Sequence, residues 1–343
     1  MPLPLILGGV AIAAGLAGAK KGYDAYSANK EAGSVAVEAA HLFDTAKSRL
    51  EADKDGAVDK LADLGRLRLE TWENDMGRFV SLFERIKDVE LTGEVAKDSF
   101  ARAVVTEAEL VHLRDISFKA AEIVGGGVGA LGSGALAGVA AYGGAMTFGA
   151  ASTGTAIGSL TGVAATNATL AWFGGGSLAA GGMGMAGGLA VLGGLVTGPV
   201  LLVGGWALSA KADANLAKAR ANLAEARKAV AEMGTAGAAL RSIARLAYQY
   251  TLVITRYRST FGSIMDRLGE VIDEAGTSFP AYTKQQKETV WLAVEAASVM
   301  KKLLETSLLR PDGSVDPNSS APLALPKVMV GKLEAQGAAH AGA

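Results

Sequence analysis

Two groups of polar side chains have the types and the spacing to bind a cation or move a proton. Glu109, His112 and Asp115 recur every three residues in a segment predicted to be helical, so they share one helix face. The three acidic residues of 270–274 offer neighbouring carboxylates of the kind used in acid–base catalysis. A solvated or salt-linked helix face accounts for both groups without any chemistry. We therefore assign no catalytic and no metal-binding residue.

Other signatures of catalysis are missing from the sequence. No G-x-x-x-x-G-K-[ST] phosphate loop occurs, and no cysteine is present to act as a nucleophile or a metal ligand. Lys plus Arg number 33 against 34 Asp plus Glu, so the formal net charge of −1 gives no general attraction to nucleic acid. The sequence predicts neither an enzyme nor a nucleic-acid-binding protein, and it predicts no cofactor.

The most distinctive stretch of the chain, residues 123–210, contains no Asp, Glu, Lys, Arg or His. An uncharged run of this length is typical of membrane-inserting or deeply buried sequence, because one helical span needs only about 20 apolar residues. Two spans are predicted, 123–148 and 183–208, with the Thr-rich residues between them as the turn of a hydrophobic hairpin. Three spans are the alternative. Lys and Arg flank both ends of the stretch, which favours both charged arms on the cytoplasmic side if the protein resides in a membrane.

Glycines recur four residues apart within this stretch, which would let two membrane helices approach closely. Pro199 is predicted to kink the second span. The glycines predicted to form the packing faces of the hairpin are Gly125, Gly129, Gly134, Gly138, Gly154, Gly158, Gly162, Gly184, Gly188, Gly194 and Gly198.

The arms on either side of the stretch carry apolar residues at alternating spacings of four and three. This period indicates a coiled-coil seam or the core face of a helical bundle. We expect an all-α fold, an elongated antiparallel bundle or coiled coil in which the two seams are partners. The first seam is Trp72, Met76, Phe79, Phe83 and Ile86, and the second is Tyr250, Ile254, Tyr257, Phe261, Ile264 and Leu268.

Five segments follow from these patterns. Residues 1–22 form an apolar N-terminal segment, either an anchor or a packed helix, and 23–122 form the first arm. The hairpin (123–210) and the second arm (211–309) come next, and 310–343 are a linker and a flexible tail. Within the second arm, Thr283-x-x-Gln286 predicts a capping box that starts a helix.

This layout, with helical arms around one Gly/Ala-rich hydrophobic hairpin, resembles the helical pore-forming toxins of the cytolysin and tripartite-enterotoxin type. It also resembles the apolipoprotein L group. The segments ASTGTAIG (151–158) and AATNATLAWFGGG (164–176) are similar to a stretch found in uncharacterised bacterial proteins. The resemblance implies a bundle that shields a hydrophobic hairpin and later inserts it.

Two functions remain open. The first is a membrane-inserting protein that perturbs or permeabilises a bilayer through its Gly-rich hairpin, as an oligomer or with a helical partner protein. The alternative is a constitutive membrane-anchored scaffold or tether without pore activity. The two differ in solubility, because a scaffold needs detergent from synthesis onwards whereas a pore-forming protein is first obtained in water.

Overall fold

A computed structural model of the chain describes residues 5–89, 107–126, 133–142, 216–310 and 314–331. These residues are helical almost throughout and contain no strand, only two isolated bridges, so the predicted all-α class is confirmed. The helices are α1 (Leu5–Glu70), α2 (Gly77–Phe83), α3 (Glu107–Gly125), α4 (Ser133–Tyr142), α5 (Leu216–Ala275) and α6 (Lys284–Glu305). A π-helix (Thr71–Met76) joins α1 to α2, and 3-10 turns occupy Phe279–Ala281 and Ala321–Ala324. Residues 325–331 are also helical.

The contacts divide the chain into two compact units, and helices α1 and α5 contribute to both. The first unit comprises Met1–Lys54 and Val196–Ala238, and the second comprises Asp55–Leu195 and Ala239–Ala343. Helix α1 runs without a break across the predicted segment boundary between residues 22 and 23.

In the first unit, α1 and α5 pack through small apolar residues. Ala39, Leu223 and Ala226 form a buried cluster. Arg220 binds Glu31 at 2.6 Å, and Arg227 binds Glu38 at 3.1 Å. Since both partners advance by seven residues from the first ion pair to the second, the two helices run parallel in this unit.

Within the second unit, α2 and the residues that follow it also run parallel to α5. Arg78 binds Asp266 at 2.7 Å, and Arg85 binds Asp273 at 2.8 Å, again with seven residues between successive partners. The antiparallel arrangement predicted for the two arms is therefore wrong. Apolar residues at spacings of four and three fit a neighbour in either direction, so the seams alone do not determine helix orientation. The charged residues that flank them do.

The remaining helices complete the core of the second unit. Helix α5 ends at Ala275, and Gly276 takes a positive φ of 80°, as expected for the left-handed residue after a helix. The chain then reverses, and α6 returns along α5, where the Tyr257 hydroxyl donates to the Ala296 carbonyl at 3.1 Å. The predicted capping box is confirmed, because the side chains of Thr283 and Gln286 each bond the other's main-chain N–H.

The C-terminal residues described by the structure also belong to this core, although 310–343 were predicted to be a linker and a flexible tail. The Leu309 and Val315 main chains form an antiparallel bridge. The Tyr250 hydroxyl donates to the Ser319 carbonyl, and Met329 is buried. Residues 314–331 therefore pack on the bundle, where several of their apolar side chains are buried. The tail from 332 onwards lies outside the described residues.

The described part of the uncharged stretch differs from the hairpin prediction. The first predicted span, 123–148, is not one helix, because α3 ends at Gly125 and a separate helix, α4, begins at Ser133. The glycine triplet at 125–127 accounts for the interruption, since each glycine costs a helix about 1 kcal/mol relative to alanine. Among the helices in the described ranges, none is long and apolar enough to cross a membrane. The second predicted span, 183–208, falls outside those ranges.

Candidate functional site

Arg68 is the least expected residue in the core of the second unit, because it is a charged side chain with 0 % exposure. It lies in a run of buried residues on α1 that includes Leu61 and Leu64 and follows the same spacings of four and three. The π-helix begins three residues later. After Arg68, the buried series continues at Trp72 and Met76, one residue later than strict alternation would give. A π-turn adds one residue to a helix, so it brings both Arg68 and the first predicted seam to the same core.

The guanidinium of Arg68 donates hydrogen bonds to the ends of two different helices. Nη1 donates to the Ala140 carbonyl at 2.9 Å, near the C-terminus of α4, with Val139 O at 3.5 Å. Nη2 donates to the Leu303 carbonyl at 3.1 Å and to the Thr306 carbonyl at 2.9 Å, at the C-terminus of α6. The last carbonyls of a helix have no partner within that helix. One side chain therefore satisfies such groups on α4 and α6 together.

No carboxylate forms an ion pair with Arg68 among the residues that the structure describes. The compensating charge comes from the two helix C-termini, each equivalent to about half a negative charge. The ring of Tyr250 adds a cation–π contact, with the Arg68 Cζ atom 5.3 Å from the ring centroid. Burial lowers the pKa of Arg68 to about 10, so the guanidinium remains charged at neutral pH. Burial likewise raises the pKa of Tyr250, against the opposing effect of Arg68.

Helix α4 is held by two further main-chain contacts. The Ala141 carbonyl accepts hydrogen bonds from the N–H groups of Leu308 and Leu309, at 2.8 and 2.9 Å. On its other side, the Leu136 carbonyl lies so close to Gly65 of α1 that a Cβ atom there would be 1.9 Å from the oxygen. The side chains of α4 that the structure describes are buried or nearly so. Helix α4 is thus fixed chiefly through its backbone and its apolar surface.

This arrangement holds α4 in position. Among the described residues, the Nε atom of Arg68 is buried without a hydrogen-bond partner. What the cluster can do is stabilise one position of α4 relative to α1 and α6. We refer to Arg68, Gly65, Tyr250 and their carbonyl partners as the α4 clamp.

The polar groups singled out in the sequence are placed differently. Glu109 binds Lys301 of α6 at 2.9 Å, whereas His112 and Asp115 are exposed. No cluster of metal-ligating side chains occurs in the described ranges. In the acidic group of 270–274, Asp273 forms the ion pair with Arg85.

The residues of the two predicted seams all lie in the core of the second unit. Among the predicted packing glycines, Gly125 is the last residue of α3, and Gly134 and Gly138 lie in α4. The close backbone approach in the described part occurs at Gly65, which was not predicted. The remaining predicted glycines and Pro199 fall outside the described residues, namely Gly129, Gly154, Gly158, Gly162, Gly184, Gly188, Gly194, Gly198 and Pro199.

Arg68 was not predicted from the sequence either. A signal for it exists, because it is a charged residue four positions after Leu64 and four before Trp72, on a face that is otherwise apolar. A long cation at such a position needs buried acceptors. Their identity as helix-terminal carbonyls depends on where α4 and α6 end, which the spacing does not reveal.

Comparison with known proteins gives no relative from which a function could be transferred. No protein-family model, no curated protein and no solved structure matches the chain.

Proposed function

We propose that this protein acts on lipid bilayers by releasing α4 and the uncharged chain after it from the helical core into the membrane. The observation that carries the proposal is the way in which α4 is held in the core. It is an uncharged ten-residue helix, buried in a bundle and held by main-chain contacts. A helix bound in this way can leave without stranding a charge of its own.

The chemistry of the segment is compatible with lipid. All of residues 123–210 lack formal charge, and a helix satisfies its main-chain hydrogen bonds internally, as a bilayer requires. The recurring glycines favour close helix–helix contacts, which associate segments where no hydrophobic driving force operates. Assembly of several copies in the bilayer is part of this proposal.

The α4 clamp is of a strength that a membrane can overcome. A hydrogen bond to a charged group contributes about 1.5–3 kcal/mol, and of the Arg68 bonds only those to the Val139 and Ala140 carbonyls would break when α4 leaves. A bilayer that accepts the uncharged stretch would offset this loss by removing apolar area from water, at about 25 cal/mol per Å². The helical core would then bind α4 until a membrane is present.

Vesicle leakage and a site-specific probe test the proposal together. The chain has no cysteine, so a single cysteine at Ser159 carries an environment-sensitive fluorophore without competition. We expect a blue shift of this probe and release of an entrapped dye when vesicles are added. The same probe at Ser81, an exposed residue of α2, is the control and should not shift.

A replacement of residues 151–208 by a Gly-Ser linker retains α4 and should abolish leakage while leaving the helical circular-dichroism signal in place. Intact vesicles and an unshifted Ser159 probe with the folded full chain would contradict the proposal. If the chain is obtained only in the detergent-extracted fraction from synthesis onwards, the anchored scaffold is the better description.

A further inference from the structure

We propose that one exposed face of α5, formed by Arg245, Tyr248, Leu252 and Arg256, binds anionic lipid headgroups. This inference rests on the proposed function and names the lipid class that the protein meets first. We call these four residues the α5 basic face. They recur at spacings of three, four and four, so they lie on one side of the helix.

The α5 basic face points away from the core. The buried residues of the same part of α5, Tyr250, Ile254 and Tyr257, lie on the opposite side. Tyr248 is 50 % exposed and Leu252 is 37 % exposed, and both arginines are exposed. An exposed tyrosine and an exposed leucine between two arginines are unusual here, because the other large apolar side chains of this part of α5 are buried or partly buried.

The electrostatic setting favours an anionic partner. No Asp or Glu occurs in the chain from Met233 to Met265, so every charged side chain in this part of α5 is positive. Arg258 is neutralised by Asp75 at 2.7 Å. Within the described part of the chain, Arg245 and Arg256 have neither a hydrogen-bond nor an ion-pair partner. Two arginines with no partner among the described residues thus flank Tyr248 and Leu252.

A bilayer surface fits this combination better than nucleic acid or protein. Tyrosine and leucine enter the headgroup boundary while arginine reaches the phosphates, which is the usual division at a membrane interface. Nucleic-acid binding needs a larger positively charged surface that contacts several phosphates, and the chain as a whole has a net charge of −1. A stable protein interface buries about 800 Å² on each partner, which is more than the one side of about three helical turns formed by the α5 basic face supplies.

Flotation with vesicles of phosphatidylcholine, with and without phosphatidylserine, tests the inference on the full chain. We expect wild-type protein to bind the mixed vesicles and the double variant R245Q/R256Q to bind them about twenty-fivefold more weakly, because each arginine near an anionic surface contributes about fivefold. This difference should shrink at high salt. Replacing Tyr248 and Leu252 with Ser should weaken binding at every salt concentration.

The matched control is R49Q/R66Q, which removes two exposed arginines from α1 and changes the net charge equally. Equal losses in both double variants would overturn the inference, since diffuse charge would then explain binding. So would unchanged binding of R245Q/R256Q, or a preference of wild type for duplex DNA or RNA over the mixed vesicles.

Dye release in the same samples separates this inference from the proposed function. Binding that depends on the α5 basic face without dye release would support the inference and contradict insertion. Dye release that is insensitive to R245Q/R256Q would support insertion and contradict the inference.

Discussion

The main chains of Gly65 and Leu136 touch, leaving no room for a side chain between them. A Cβ atom at Gly65 would lie 1.9 Å from the Leu136 carbonyl oxygen and 2.7 Å from its carbonyl carbon. Because the obstacle is backbone, a substitution cannot be accommodated by rotating a side chain. The position of α4 on α1 therefore depends on a single missing methyl group.

Replacing Gly65 with Ala should displace α4 and lower the free energy of unfolding by about 2 kcal/mol or more, because an overpacked contact between backbones cannot relax locally. Urea denaturation followed by circular dichroism measures this loss. If α4 release precedes membrane action, G65A should also cause vesicle leakage at a lower protein concentration than wild type.

The matched control is G56A, in the same helix, where an added Cβ atom meets nothing within 4 Å. It should stabilise the protein by about 0.5–1 kcal/mol, since alanine restricts the unfolded chain and favours helix. Equal denaturation midpoints for G65A and G56A would show that the close contact does not form in solution.

Replacing Arg68 with Lys should lower the free energy of unfolding by about 2–4 kcal/mol, although the charge is retained. The guanidinium fork reaches the carbonyls of Ala140 and Leu303 together, and a single ammonium group does not span both helix ends. One helix terminus is then buried without donors, at about 1–3 kcal/mol for each group.

The control for this change is R66K, an exposed position two residues earlier on α1. It should shift the denaturation midpoint very little. A loss in R66K as large as in R68K would mean that the effect comes from helix propensity or net charge, not from the α4 clamp.

Parts of this fold follow from local patterns. The two apolar seams are visible in the sequence because burial on one side of a helix imposes a period near 3.6. The Thr283 capping box is equally local, since both of its partners lie within four residues. Such features depend on neighbours along the chain, and the sequence contains all the information they need.

Other parts depend on partners distant in sequence. The parallel direction of α1 and α5 is expressed in ion pairs such as that of Glu38 with Arg227, and the sequence alone allows many other pairings of these charges. The role of Arg68 depends on where two other helices end. The division of residues 123–148 reflects local glycine content, because the glycines at 125–127 weaken the helix whether or not the segment carries charge.

The parallel register itself can be tested by cross-linking, which the absence of cysteine makes simple. With cysteines at Arg85 and Asp273, whose native side chains are 2.8 Å apart, a short bismaleimide should join the two positions rapidly. Cysteines at Arg85 and Ser259 should react slowly, because Ser259 lies about 21 Å further back along α5. Fast cross-linking of the Ser259 pair and slow cross-linking of the Asp273 pair would exclude the parallel register.

Lys301 should give the bundle a contribution to stability that disappears only at high pH. Its Nζ atom lies 2.9 Å from Glu109 of α3 and 3.1 Å from Glu305 of α6, and the side chain is 18 % exposed. Burial alone lowers the pKa of Lys301, but the hydrogen bonds and negative charges of the two glutamates outweigh it and raise the pKa above 10.5.

Because the folded state holds this proton more tightly than the unfolded state, the contribution is complete below pH 10.5 and is lost as the pH rises through the higher folded value. Replacing Lys301 with Met should therefore lower the free energy of unfolding by about 1–2 kcal/mol at pH 8. The difference from wild type should shrink when urea denaturation is repeated above pH 10.5.

Lys284 provides the control, since its side chain is 93 % exposed and 3.9 Å from Glu288, so K284M should change little at either pH. A K301M deficit that stays constant from pH 8 to above pH 10.5 would indicate lost apolar packing of the lysine stem in place of a lost charge interaction.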